Sequence, residues 1–207
     1  MSESTGCCRW CTSFIFTLGL TALFLWLSLR ASKPSCSVQS FYVPALNLTA
    51  NDPRNATVAI HLRLSNGNKD KGIYYDDVRI ALYYNAVNGT VAVGNTSIPA
   101  FYQGHNKKAT KQGTVKTEGV PWNNAQKNVS ANGEVEFRVD LATAVRFKIV
   151  WWKTKRHRMN ISGRVQVNRD GKKTYNKNIK LSGASELVCF GTPMWMLALS
   201  FFFLILC

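Results

Sequence analysis

The sequence predicts an all-β chain, a single antiparallel β-sandwich behind an N-terminal transmembrane helix. Three observations carry that expectation: period-two alternation of apolar residues, turn dipeptides between the alternating runs, and one long uncharged run near the N-terminus. In TVAIHLRLS, Val58, Ile60, Leu62 and Leu64 share one face while Thr57, His61 and Arg63 share the other. DDVRIALYY aligns Val78, Ile80, Leu82 and Tyr84, and EVEFRVDL sets Val135, Phe137, Val139 and Leu141 against Glu136, Arg138 and Asp140. NISGRVQVN adds Ile161, Val165 and Val167. These are half-buried strands, rich in β-branched and aromatic residues. Asn66-Gly67, Asn88-Gly89, Asn132-Gly133 and Asp170-Gly171 read as the turns between strands. No stretch of the middle region reads as an amphipathic helix. About seven strands over some 150 residues suit a fibronectin III or immunoglobulin-like sandwich without an inter-sheet disulfide.

The flanks are apolar. Residues 12–29, TSFIFTLGLTALFLWLSL, carry no charge and lie between Arg9 and Arg30. As a helix they rise about 27 Å, enough to span a bilayer with little tilt. An uncleaved signal anchor is favoured over a cleaved signal peptide, because Leu29 and Arg30 stand where small residues precede a cleavage site. At the other end, Ser182-Gly183-Ala184 is followed by a short spacer and then an uncharged hydrophobic tail. That order is expected of a glycosylphosphatidylinositol (GPI) attachment signal, whose tail is removed. Ser182 is the first choice of attachment residue and Gly183 the alternative; an embedded hairpin or a second span is the competing reading. The expected organisation is a cytosolic tail (1–11), a signal anchor (12–29), an extracellular sandwich (30–185) and a removed attachment signal (186–207).

Compartment follows from the Asn-x-Ser/Thr triplets at Asn47, Asn55, Asn88, Asn95, Asn128 and Asn160. All six fall in the middle region, which places it in the secretory lumen and then outside the plasma membrane. Net charge is +15, with nearly all the cations in that same region. Outside a cell nucleic acid drops out as a partner. Acidic wall polysaccharide, a wall protein or an anionic membrane surface remain. The clearest basic patch is KTKRHR, with Lys153, Lys155, Arg156 and Arg158. A solvated strand end that discourages edge pairing explains the same residues. The turn at Asn168, Arg169 and Asp170 displays an acid and is a candidate adhesion loop.

Cys7, Cys8 and Cys11 flank the uncharged run on its cytosolic side and are S-acylation candidates. Three thiols without a fourth ligand make a poor zinc site. Cys36 is expected to be buried or to pair with another chain, or with Cys189 if the tail is kept. Catalysis is not expected: His61, His105 and His157 lack a nucleophile context, and adjacent Asp76 and Asp77 point to opposite faces of a strand. Asp70 and Asp76 with a loop carbonyl are the one arrangement of acids suited to calcium. No cofactor is expected.

The segments NKDKGIYYDDV (68–78), GNTSIPAFYQG (94–104) and VRFKIVWWKTKR (145–156) closely resemble the plant harpin-induced-like family, whose lumenal part is a late-embryogenesis-abundant type 2 domain. The likeness extends over nearly the whole chain. It implies a glycosylated plasma-membrane protein needed for immune signalling by intracellular receptors of the coiled-coil nucleotide-binding class. It further implies a cytosolic tail that meets a membrane-tethered immune adaptor and an outer domain that supports adhesion between membrane and wall. Two motifs depart from the family pattern. Its usual Asn-Pro-Asn stands here as Asn66-Gly67-Asn68, and its Asn-Gly-Asp tripeptide as Asn168-Arg169-Asp170. A lipid-binding or desiccation-protective domain is the alternative. It requires an apolar slot between the sheets rather than a core closed around Phe137, Phe147 and Trp151.

Overall fold

The computed structural model describes residues 4–29, 31–48, 57–86, 89–149 and 151–183. The chain divides into two compact units, one holding helix α1 and the other covering Ser32–Leu187.

Helix α1 (Ser4–Leu29) has 26 residues. It passes residue 11 without a break, so the segment expected as a cytosolic tail is helical from Ser4 onward. Thr17 and Thr21 return their hydroxyls to the carbonyls of Ser13 (2.5 Å) and Thr17 (2.9 Å), which satisfies both polar groups within the helix. Among the described residues no helix is long and apolar enough to cross a membrane, so the expected transmembrane helix finds no support there.

The second unit is the expected antiparallel sandwich. Its first sheet joins β1 (Ser35–Asn47), β2 (Thr57–Ser65) and β7 (Lys108–Lys116), with β11 (Asp170–Lys172) and β12 (Ile179–Leu181) on the free edge of β1. In the second sheet β8 (Glu134–Ile149) is the spine, with β10 (His157–Asn168) on one side. On its other side lie β4 (Val78–Ala86) and β3 (Lys71–Tyr75), end to end. The Asp76-Asp77 break between them is bridged: the Asp76 amide donates to Ala144 O (2.9 Å) and Thr143 Oγ1 donates to Asp76 O (3.0 Å). Outside these run β5 (Gly89–Ile98) and β6 (Phe101–Gln103), with the Ala100 amide held by the Asp77 carboxylate at 2.9 Å. A two-residue strand, β9 (Trp152–Lys153), folds back on the end of β8. Because β5 pairs with β4, the sandwich departs from the immunoglobulin constant arrangement, which puts the fourth strand in the first sheet.

Alternation holds as expected. Val58, Ile60, Leu62 and Leu64 on β2 are buried, as are Val78, Ile80, Leu82 and Tyr84 on β4 and Val135, Phe137, Val139 and Leu141 on β8. Phe41 of the first sheet meets Phe137 of the second at 5.6 Å, and Tyr84 meets Phe137 at 5.4 Å. Phe147 is buried too, but Trp151 is 88 % exposed and takes no part in the core. The region also contains a helix that the alternation does not announce, α2 (Trp122–Asn132). Its buried Ala125 and Val129 lie one turn apart, Gln126 Nε2 donates to Ala45 O (2.8 Å), and Gly133 ends it in the left-handed conformation. Asn132-Gly133 is therefore a helix cap and not a hairpin turn.

Buried polar side chains close one end of the sandwich. Asn66 Nδ2 donates to Lys71 O (2.7 Å) and Gly104 O (3.0 Å), while its Oδ1 accepts from the Asn68 amide at 3.0 Å. Asn68 clasps Ser32 in both directions, accepting from its amide (2.6 Å) and donating to its carbonyl (2.9 Å). Gln103 Nε2 donates to Leu64 O (3.0 Å) and Lys107 O (2.8 Å), and its Oε1 accepts from Tyr75 at 3.0 Å. The chain thus enters the domain at Ser32, three residues after α1 ends, and is fixed there at once. It leaves close by, since Leu181 pairs with Cys36, which pairs with Leu64. The opposite end carries α2, the end of β1 and the Asn168–Gly171 turn.

Removing Asn68 orphans buried partners, so Asn68→Ala is expected to lower unfolding stability by about 2–3 kcal/mol. Gly67 has no positive φ, and a Cβ there meets nothing within 4 Å. Gly67→Ala is accordingly expected to raise stability by about 0.4–1 kcal/mol. Denaturant titration of the full chain in micelles reads both.

Candidate functional site

The outer face of the second sheet carries a row of charged and aromatic side chains. Pleating sends Tyr74, Arg146 and Lys148 outward, opposite buried Ile73, Tyr75, Val145 and Phe147. Tyr74 and Tyr102 are cross-strand partners with rings 4.6 Å apart. Lys148 and Lys153 are also directly paired, an arrangement that repels. The repulsion is relieved by ring faces, with Lys153 Nζ at 4.2 Å from the Tyr74 centroid and Lys148 Nζ at 5.9 Å from that of Tyr102.

Further along the face, Asp76 holds two cations, Arg146 at 3.0 Å and Arg156 through Nε. Burial on its own would raise the Asp76 carboxyl, but hydrogen bonds and charge from Arg146 and Arg156 outweigh it and hold the group below the usual aspartate range. The basic patch read from KTKRHR is therefore divided. Lys155 and Arg158 are exposed, Lys153 lies on Tyr74, and Arg156 is committed to Asp76. A calcium site built on Asp70 and Asp76 is ruled out by the same facts, because Asp70 pairs with Lys71 at 2.7 Å and Asp76 with two guanidinium groups. Among the described residues no group of His, Cys, Asp and Glu is arranged to hold a metal.

Beyond Asp76 the face opens into a groove of about 1220 Å³ floored by small residues, Ala81, Ala142, Ser97 and Ser162. Arg79, Arg138 and Asp140 line it, with Arg138 lying 4.4 Å over Tyr83 and 3.2 Å from Asp140. Sequence reasoning missed this groove. Its only signal was the small residues at outward positions of β4 and β8, legible once strand register is known. Two glycosylation candidates, Asn95 and Asn160, stand exposed on its opposite sides.

The other candidates lie apart. Asn47 and Asn128 are half-buried at the far end, Asn128 Nδ2 donating to Tyr84 Oη at 3.1 Å. Asn55 and Asn88 fall outside the described residues. Asn168 Oδ1 accepts from the amides of Asp170 (3.1 Å) and Lys172 (3.0 Å), so the candidate adhesion loop is an Asx-type turn. Gly171 completes it at φ 71°, where a Cβ would meet Val43 O at 2.3 Å. Asp170 is left exposed. Of the GPI candidates, Ser182 exchanges two backbone hydrogen bonds with Ser162 (2.9 Å each), and Gly183 lies just past that bridge. Cys11 is exposed on α1; Cys7 and Cys8 share the helix, but their side chains are outside the described residues, as is Cys189. Cys36 is buried, and burial pushes its thiol up to about 12, which leaves it unreactive at neutral pH.

A family model described as late embryogenesis abundant protein, LEA_2, matches residues 61–163, from within β2 to the middle of β10. Protein NDR1 of Arabidopsis thaliana is 52 % identical over 185 residues, covering 85 % of this chain and 82 % of that protein. The chain belongs to the NDR1/HIN1-like family. NDR1/HIN1-like protein 26 of the same plant is 28 % identical over 73 % of this chain and 72 % of its own, and NDR1/HIN1-like protein 2 is 31 % identical over 64 % and 57 %. The matched segment holds the Asn66–Asn68 clasp, the aromatic–cation face and the groove.

Two outcomes are expected. Asp76 contributes stability above the ordinary aspartate pKa of about 3.9, and that contribution is lost as pH falls through its lower folded value. Asp76→Asn should therefore lower the thermal midpoint at pH 7 and flatten its fall below about pH 4, read by scans across pH. Asn95→Gln and Asn160→Gln should each remove one glycan, seen as single steps on a gel that glycosidase treatment abolishes.

Proposed function

We propose that the chain is a non-catalytic plasma-membrane glycoprotein of plant disease-resistance signalling that also attaches the membrane to the cell wall. The observation that carries this reading is the 52 % identity to NDR1 over 85 % of the chain. In it, the uncharged run of α1 spans the membrane, the segment before it meets a membrane-tethered immune adaptor, and Cys7, Cys8 and Cys11 are acylated. The sandwich lies outside the cell, glycosylated and lipid-anchored at Ser182 or Gly183. Double attachment is supported by the entry and exit of the chain at one end, where Cys36 pairs with Leu181. The exposed cations Lys155 and Arg158 and the Asp170 turn at the far end are the wall-facing elements.

Expression in a plant lacking its own NDR1 tests the signalling half, with restored hypersensitive cell death as the expected result and no restoration as the contrary one. Plasmolysis tests adhesion: Asp170→Ala combined with Gln at Lys155 and Arg158 should reduce the number of membrane–wall attachment points. Unchanged attachment would sink that half while leaving the signalling half standing.

A further inference from the structure

We propose that the Trp151-Trp152 hairpin is a membrane-docking element that seats the outer domain on the anionic headgroup surface of the bilayer holding its anchor. The inference rests on the reading that α1 is membrane-embedded. Trp151 is 88 % and Trp152 55 % exposed, on the short β8–β9 return where Ile149 pairs with Trp152. Two adjacent exposed indoles form an apolar tip that a freely soluble domain would avoid. The tip stands at the end where the chain enters, for Lys71 pairs with Ile149, Asn66 holds Lys71, and Asn68 holds Ser32. Only residues 30 and 31 separate the end of α1 from that clasp, so chain length alone keeps Ser32 within about 11 Å of Leu29.

Side-chain chemistry matches that location. Indoles favour the membrane–water interface, where the ring is buried and the N–H stays wet. Lys148 and Lys153 flank the tip on β8 and β9, and exposed Lys69 and Lys107 lie at the same end, near Lys71 in the chain and against Asn66, while Asp70 is paired with Lys71. Cations near an anionic leaflet add attraction that salt screens. Among the described residues the glycosylation candidates spare this end, since Asn47 and Asn128 lie at the far end and Asn95 and Asn160 along the outer face. Asn66, Asn68 and Asn106 are present there, but none is followed by an acceptor triplet.

The test uses the full chain in nanodiscs containing phosphatidylserine, with lipids brominated near the headgroup. Subtracting the emission of Trp151→Ala/Trp152→Ala from that of the wild type isolates the two indoles from the other Trp residues. The expected result is a blue-shifted difference spectrum that shallow bromine quenches and aqueous iodide does not. Gln at Lys69, Lys107, Lys148 and Lys153 should weaken that quenching, as should high salt. A red-shifted difference quenched by iodide alone overturns the proposal. Shielding from iodide by added homogalacturonan without bromine quenching also overturns it, in favour of a wall-sugar contact. Carbonate extraction of the same chain from membranes reads the anchor separately. Release by carbonate contradicts the membrane reading of α1, and bromine quenching on mixed vesicles then still decides whether the hairpin docks.

Discussion

The clasp of Asn68 on Ser32 is the constraint on which the geometry of the domain depends. A buried amide side chain is costly unless all its hydrogen-bonding groups are met; here Asn68 bonds Asn66, and both, with Gln103, reach backbone groups of the neighbouring loops. The network ties the entering chain to the β2–β3 and β6–β7 connections and thereby to both sheets. An apolar plug at the same place would close the core but would not specify the direction from which the chain arrives.

Given that fixed end, the surface sorts itself by distance from it. Nearest are the two exposed indoles and their lysines, then the tyrosine-backed cations and the Asp76 ion pairs. The groove with its flanking asparagines follows, and the Asp170 turn is farthest away. The proposed role between a membrane and a wall calls for such polarity, because the chemistry suited to a lipid headgroup differs from that suited to a wall. The fold supplies it through β8, a 16-residue strand long enough to carry residues of both ends on one outward row.

Much of this was legible in the sequence, and for one reason. Strict alternation in β2, β4 and β8 is hard to misread, because a register slip would turn Phe137 or Ile60 out to solvent. Helix α2 escaped notice because it buries only Ala125 and Val129, too few apolar positions to stand out among four asparagines. Trp151 reads in the sequence as a core partner of Phe137 and Phe147, yet the chain turns back between Ile149 and Trp152 and leaves it exposed. The value of Asn66-Gly67-Asn68 was hidden as well. As a dipeptide Asn66-Gly67 signals a hairpin, and only the fold reveals that both asparagines point inward while Gly67 faces out. The site was less legible than the fold, since Asp76 recruits Arg146 and Arg156 from positions 70 and 80 residues away.

Native-state hydrogen exchange on the full chain in nanodiscs addresses the clasp most directly. If Asn68 fixes the entering chain, the Ser32 amide exchanges in the wild type as slowly as those of the core strands. In Asn68→Ala it exchanges fast while the β8–β10 ladder stays protected. A Ser32 amide that exchanges at the rate of an unstructured peptide in the wild type would contradict the account.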